Sequence, residues 1–219
     1  TGVILAAPLS NMPKIVRAIE ATGTPLVRLS PGEENGNQLS VSTNDREISA
    51  EMTRYLADLG HERIAFIKGD PHHKAVGHRF LGYRDGLRAA RLAFSKELIA
   101  EGHLSFESGA ACAEQLLAQQ PPPTAIFASN DDMAAGVIRA AKRQGIDIPG
   151  QLSVAGFDDI PLARQLDPPL TTIRQPLVRM TEKAAAMLAQ GNGKDAEKKR
   201  TEVILAELKI RDSTGPAPD

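Results

Sequence analysis

The chain has 219 residues, 42% of them hydrophobic, and a formal net charge of −1 at neutral pH. That length and apolar content support one large or two small globular domains with a real core, and the near-zero charge excludes a basic field that would draw the whole chain to nucleic acid or anionic lipid. The single cysteine, Cys112, excludes an internal disulfide and fits a reducing compartment, and no apolar run approaches the ~20 residues of a membrane span.

Residues 3–6 read as a buried strand ended by Pro8, and 12–21 as a helix with Ile15, Ala18 and Ile19 on one face. A strand at 26–29 is followed by a loop at 31–37 and a short polar strand or extended crossover at 38–43. Residues 45–59 carry the clearest helical period, with Ile48, Met52, Tyr55, Leu56 and Leu59 on one face, an Asn44/Glu47 capping box and Gly60 as the stop. Next come a strand at 63–67, a helix at 79–91, an extended piece from Leu98, a helix at 107–119, a strand at 124–128 and a helix at 131–143. A strand at 153–156 and a β-branched run, Thr171 to Ile173, precede a helix from 176 to about 190. A charged loop at 191–200 leads to a final strand region at 202–210, and 213–219 is expected to be a disordered tail. Strands alternating with helices of this length mean an α/β fold with parallel sheets. The chain opens abruptly in a strand without a visible signal peptide, which suggests a truncated start.

In open α/β sheets ligands bind beyond the carboxyl ends of the strands. Two strands end on polar clusters, Ser129-Asn130-Asp131-Asp132 and Asp158-Asp159, and the 171–173 run ends on Arg174-Gln175. If the first two strands are neighbours, Asn130 and Asp158 point into one crevice, where an amide and a carboxylate suit vicinal sugar hydroxyls. Asn130 or Asp131 can equally cap the following helix, and Asp131, Asp132 and Asp159 read as caps or solvated residues. Arg79 at a helix start opposes the macrodipole, so it needs a carboxylate or ligand partner. His72, His73 and His78 lack metal-site spacing and read as a loop, and His61 reads as structural. There is no G-x-G-x-x-G, P-loop or G-x-S-x-G. One enzyme reading has residues behind it: Mg²⁺-dependent phosphoryl transfer on Asp131, Asp132, Asp158 and Asp159.

Four dispersed segments, LGHERIAFIKG (59–69), RFLGYRDGL (79–87), PTAIFASNDDMAAG (123–136) and SVAGFDD…PPLTTIRQP (153–176), resemble LacI-type (LacI/GalR family) transcriptional repressors. The resemblance implies two doubly wound parallel-sheet subdomains of the periplasmic-binding-protein-like type I, with the N-terminal one incomplete. It divides the chain into 1–43 plus 175–203, an N-terminal subdomain, and 44–174 plus 204–212, a C-terminal one. It further implies a cytoplasmic homodimer that closes around a small sugar-like effector and acts on operator DNA only through a helix-turn-helix headpiece missing here, with no enzymatic activity, cofactor, metal or membrane partner. The effector contacts it implies are Asp158, Asn130, Arg79 and Gln175. Phe157 and Phe106 would shape the walls, and Ser30 stands where many relatives carry an aspartate. Ala6 and Leu104 also depart from residues common in the family. A periplasmic sugar-binding protein of a transporter is the alternative with the same fold.

Overall fold

A computed structural model describes residues 2–32, 38–190 and 201–218. In chain order the elements are β1 (Val3–Leu5), α1 (Pro13–Glu20), β2 (Leu26–Leu29), β3 (Leu39–Thr43), α2 (Asp45–Asp58), β4 (Ile64–Lys68), α3 (Lys74–Ala89), β5 (Ile99–Glu101), α4 (Phe106–Leu117), β6 (Ala125–Ala128), α5 (Asp131–Arg143), β7 (Ser153–Ala155), α6 (Pro161–Gln165), β8 (Thr172–Arg174), α7 (Leu177–Ala189), β9 (Thr201–Ile204) and β10 (Glu207–Lys209). The expected loops at 33–37 and 191–200 lie outside the described residues.

The chain forms two compact units: Thr1–Asn44, Pro71–Gly77 and Pro176–Ala206 make the first, and Asp45–Asp70, His78–Gln175 and Glu207–Asp219 the second. The first holds a parallel sheet in the order β1-β2-β3-β9. The β-branched and leucine side chains of one sheet face, Val27, Leu29, Leu39 and Val41, pack under Met180, Ala184 and Met187 of α7. Residues 71–77, expected with the second unit, group with the first. The close seat of Gly32 on Lys74, where an added Cβ would fall 2.0 Å from that of Lys74, shows why.

The second unit holds a parallel sheet in the order β5-β4-β6-β7. Isolated parallel bridges carry β8 alongside the β7 segment (Ala155 to Thr171, Asp158 to Arg174), and β10 runs antiparallel to β8. One sheet face packs on α4 and α5, around Ile67, Ile126, Ala128 and Val154 with Ala113, Leu116, Met133 and Val137. On the other face Phe66 stacks on Tyr83 at 5.0 Å and meets Phe127 edge-on at 5.2 Å. Two helix crossings are built on glycine: a Cβ added to Gly109 of α4 would fall 2.2 Å from the Met133 carbonyl oxygen of α5, one on Gly136 of α5 2.1 Å from the Phe106 carbonyl oxygen of α4, and one on Gly82 of α3 2.1 Å from the Arg46 carbonyl oxygen of α2.

Two expectations need correction, and two further features were not foreseen. α3 begins at Lys74, because the buried Val76 anchors an extra turn, so Arg79 sits in the second turn and not at the helix start. The Asn44 side-chain oxygen accepts the Ala206 amide at 2.8 Å, holding the end of β3 to the chain after β9. The five-residue helix α6, started by Pro161, was not expected. Finally, 213–218 is ordered and not a loose tail. The Val154 amide donates to the Ser213 carbonyl at 2.8 Å, the Ser213 hydroxyl donates to the Val154 carbonyl at 2.6 Å, and the Ala217 amide reaches the Leu59 carbonyl at 2.9 Å. Serine and threonine side chains here replace the missing apolar pattern as the means of attachment. His61, 1% exposed, joins this region to the sheet. Its Nε2 lies 2.9 Å from the Ser153 hydroxyl and 3.1 Å from the Gly215 carbonyl, its Nδ1 lies 2.9 Å from Thr124 Oγ1, and burial lowers its pKa.

Candidate functional site

β6 and β7 are adjacent and parallel, so the turns that follow them meet at one edge of the second unit's sheet. Arg79 organises this edge. Its guanidinium is 7% exposed and lies face-on over the Phe157 ring, 3.6 Å from the centroid. Nε donates to Asp45 Oδ2 at 3.0 Å, Nη1 donates to the Ser129 carbonyl at 2.6 Å, and Nη1 also stands 3.6 Å from Asp158 Oδ1. Asp158 Oδ1 accepts Gln175 Nε2 at 2.5 Å, while the Asp158 amide donates to the Ile173 carbonyl. Burial pushes the Asp158 carboxyl up; the Arg79 charge and the Gln175 hydrogen bond counter it only in part. The backbone of Asp158 has φ 118°, which L side chains rarely adopt, and that of Asp159 φ 56°, in the left-handed region that Asp and Asn tolerate better than most.

Of the residues expected to bind, Arg79, Asp158 and Gln175 are brought together. Asn130 is beside them through Ser129, and its role is partly structural. Its Oδ1 caps α5 by accepting the Met133 amide at 3.0 Å, and its Nδ2 donates to the Leu104 carbonyl at 3.0 Å. One Nδ2 hydrogen remains for a ligand. Phe157 is 0% exposed and is therefore a platform under Arg79, not a wall facing a ligand. Phe106 is also misplaced by the expectation. Its ring lies under Arg139, 4.4 Å from the guanidinium carbon. Ser30 belongs to the first unit, just past β2, with φ 47° and its amide donating to the Val41 carbonyl.

The remaining aspartates have separate tasks. Asp159 is neither cap nor solvated: its buried side chain takes Arg174 Nε at 2.6 Å, Arg211 Nη2 at 2.5 Å and Arg164 Nη2 at 3.2 Å. Burial works to raise its pKa and is outweighed by those hydrogen bonds, so the carboxyl is held below its usual range. Asp131, 0% exposed, accepts the Thr172 hydroxyl at 2.5 Å and the Ile160 amide at 2.9 Å, tying the start of α5 to β8 and to the loop after β7. Among the described residues no three acids, histidines or cysteines form a metal-holding group, and three aspartates of the Mg²⁺ reading, Asp131, Asp158 and Asp159, are held by different partners. Asp45 was missed: its pairing with Arg79 spans 34 positions and leaves no local trace.

Burial raises the Asp131 pKa to about 7. A carboxyl raised in this way favours folding below the unfolded value near 3.8, and that contribution is lost as pH rises towards about 7. In Asp131→Asn the amide oxygen can still accept from Ile160 and the amide nitrogen can donate to Thr172 Oγ1. Thermal unfolding is expected to show the variant gaining on the wild type between pH 4.5 and pH 8. A constant difference across that range would contradict the burial of an ionisable group here.

The profile of a periplasmic binding protein-like domain matches residues 53–214. The ribose operon repressor of Haemophilus influenzae is 38% identical over 161 residues, 74% of this chain and 48% of that protein. The solved complex of the regulator CelR with cellobiose has a TM-score of 0.86 at 27% identity, covering 97% of this chain and 65% of that one. A LacI-family regulatory protein from Chloroflexus aggregans has a TM-score of 0.86 at 30% identity, covering 98% of this chain and 76% of that one. The chain spans about half the length of the repressor from Haemophilus.

Proposed function

This chain belongs to the LacI family of transcriptional regulators, and from that premise we propose that it is the effector-sensing and dimerisation core of such a regulator, binding a small sugar-like molecule. The observation that carries the reading is the buried Asp45–Arg79–Asp158–Gln175 arrangement at the carboxyl edge of the second unit's sheet. A preset guanidinium, two carboxylates and an amide offer donors and acceptors at fixed angles, which is what vicinal hydroxyls require. The relatives support the ligand class, since one is named for ribose and another is bound to cellobiose. The protein acts in the cytoplasm as a homodimer on operator DNA, and a helix-turn-helix headpiece outside this chain makes the DNA contact. Effector binding shifts the regulator between states only because its affinity for them differs.

A thermal-shift screen against mono- and disaccharides, nucleosides and purines tests the ligand class, because a molecule that binds only the folded chain raises its melting temperature. With a hit in hand, Asp158→Asn is expected to weaken binding by more than about tenfold, equivalent to ~1.4 kcal/mol. Asparagine has the shape of aspartate and adds no backbone strain beyond what the φ of 118° already imposes, so the fold survives. It is expected to gain stability slightly, since a carboxylate raised by burial has been removed. Unchanged affinity by calorimetry would remove Asp158 from the site.

A further inference from the structure

The first unit contains a cavity of about 390 Å³ beside α1, a volume within the range of small-molecule sites. Arg28 of β2, 6% exposed, lies at its base. Its Nε donates to the Ser10 carbonyl at 2.8 Å and its Nη1 to Gln38 Oε1 at 2.5 Å, so the guanidinium is fixed before any ligand arrives. Arg17, exposed on α1, and Lys74, seated against Gly32, bring two more cations to the wall. Among the described residues that line the cavity the one carboxylate is Glu20, which accepts Gln38 Nε2 at 2.5 Å. Asn11 on the same wall supplies a second, independent observation. It ends the short turn that leads into α1, with its backbone amide on the Pro8 carbonyl at 2.9 Å. Both polar atoms of its side chain are buried, and neither makes a hydrogen bond within the described residues. A buried carboxamide without partners is destabilising, and a fold that keeps one needs a molecule outside the chain to supply them.

We propose that this cavity is a second small-molecule site, and that it takes a compact metabolite carrying a phosphate or carboxylate group beside hydroxyls. The Arg17 guanidinium, on a mobile exposed side chain, can close on the oxyanion with two parallel hydrogen bonds. Arg28 adds a fixed positive charge at a depth where salt screens it little, and Lys74 adds another at the wall. The neighbouring polar groups of the ligand satisfy Asn11, one donating to Oδ1 and another accepting from Nδ2. The cavity is lined wholly by residues of the first unit, whereas Arg79, Asp158 and Gln175 belong to the second. The proposal therefore stands apart from the effector-binding reading above.

Calorimetry in phosphate-free buffer of low ionic strength tests it, with inorganic phosphate, ribose 5-phosphate and citrate as probes. At least one probe is expected to bind with a dissociation constant of about 1 mM or below. Asn11→Leu keeps the size of the side chain and removes both polar atoms, and Arg17→Gln changes an exposed residue on which folding does not depend. Each is expected to weaken that probe by about tenfold. Lys14→Gln removes the same charge from a residue of α1 that does not line the cavity, and its affinity is expected to stay within about twofold of the wild type. Tighter binding of ribose 5-phosphate would identify a phosphorylated sugar, and of citrate an organic acid. No binding by any probe at roughly 10 mM overturns the proposal. A probe whose affinity either Asn11→Leu or Arg17→Gln leaves unchanged, or that Lys14→Gln weakens equally, is an adventitious ion only and overturns it too.

Discussion

Arg79→Met is expected to abolish measurable ligand binding and to destabilise the fold by roughly 3–5 kcal/mol, the usual cost of removing one partner from a buried ion pair. The Arg79 and Asp45 side chains are only 8% and 6% exposed, so the buried Asp45 carboxylate would lose the cation that faces it. Methionine fills much of the volume over Phe157, which isolates the electrostatic loss from a packing loss. The second variant, Arg79→Met with Asp45→Asn, separates the two roles. It is expected to recover much of the stability, because the carboxylate in closest contact with Arg79 is gone as well, and none of the binding. Denaturant unfolding with calorimetry on the same samples reads both. A single variant as stable as the wild type would mean that the Asp45 pair contributes nothing to the fold.

Gly136→Ala is expected to cost about 2 kcal/mol or more, against the ordinary preference of helices for alanine. Alanine in a helix interior is worth about 1 kcal/mol over glycine. At this position, however, the added Cβ would lie 2.1 Å from the Phe106 carbonyl oxygen and 2.7 Å from the Ala110 amide nitrogen. Both are backbone atoms of α4, so neither can swing aside. The two helices must part, and overpacking of this kind costs about 1–3 kcal/mol and sometimes more. Gly77, in the first turns of α3, is the internal control: nothing lies within 4 Å of its added Cβ, so alanine there is expected to stabilise by about 0.5–1 kcal/mol. Equal effects at the two positions would contradict the close crossing.

The elements whose side chains report their own period could be read from the sequence. The stripe of Ile48, Met52 and Leu56 does face the core on α2, and the Asn130-Asp131-Asp132 start and Lys142-Arg143 end of α5 lie within a residue of its bounds. The strand ends were equally legible, because polar residues directly after an apolar run mark the sheet's carboxyl edge, and Arg79, Asp158 and Gln175 do meet there. What could not be read were pairings across long separations. The helical turn before Arg79 depends on burial of Val76, the attachment of 213–218 on hydroxyls reaching Val154, Thr171 and Tyr55, and the orientation of Arg79 on Asp45. Aromaticity misled in a related way. Phe157 and Phe106 suggested walls of a pocket, but a ring's function depends on which cation lies over it, and the sequence does not carry that information.

The three arginines on Asp159 have a thermodynamic consequence for the residue before it. They come from α6, β8 and the segment after β10, so the peptide joining Asp158 to Asp159 is fastened from three directions. An acceptor held in this way gives up little conformational freedom when a ligand arrives, and fixing even one loose backbone residue costs about 1–2 kcal/mol. For the effector proposed above, which has few atoms to contribute, this prior rigidity counts in the affinity beside the hydrogen bonds themselves.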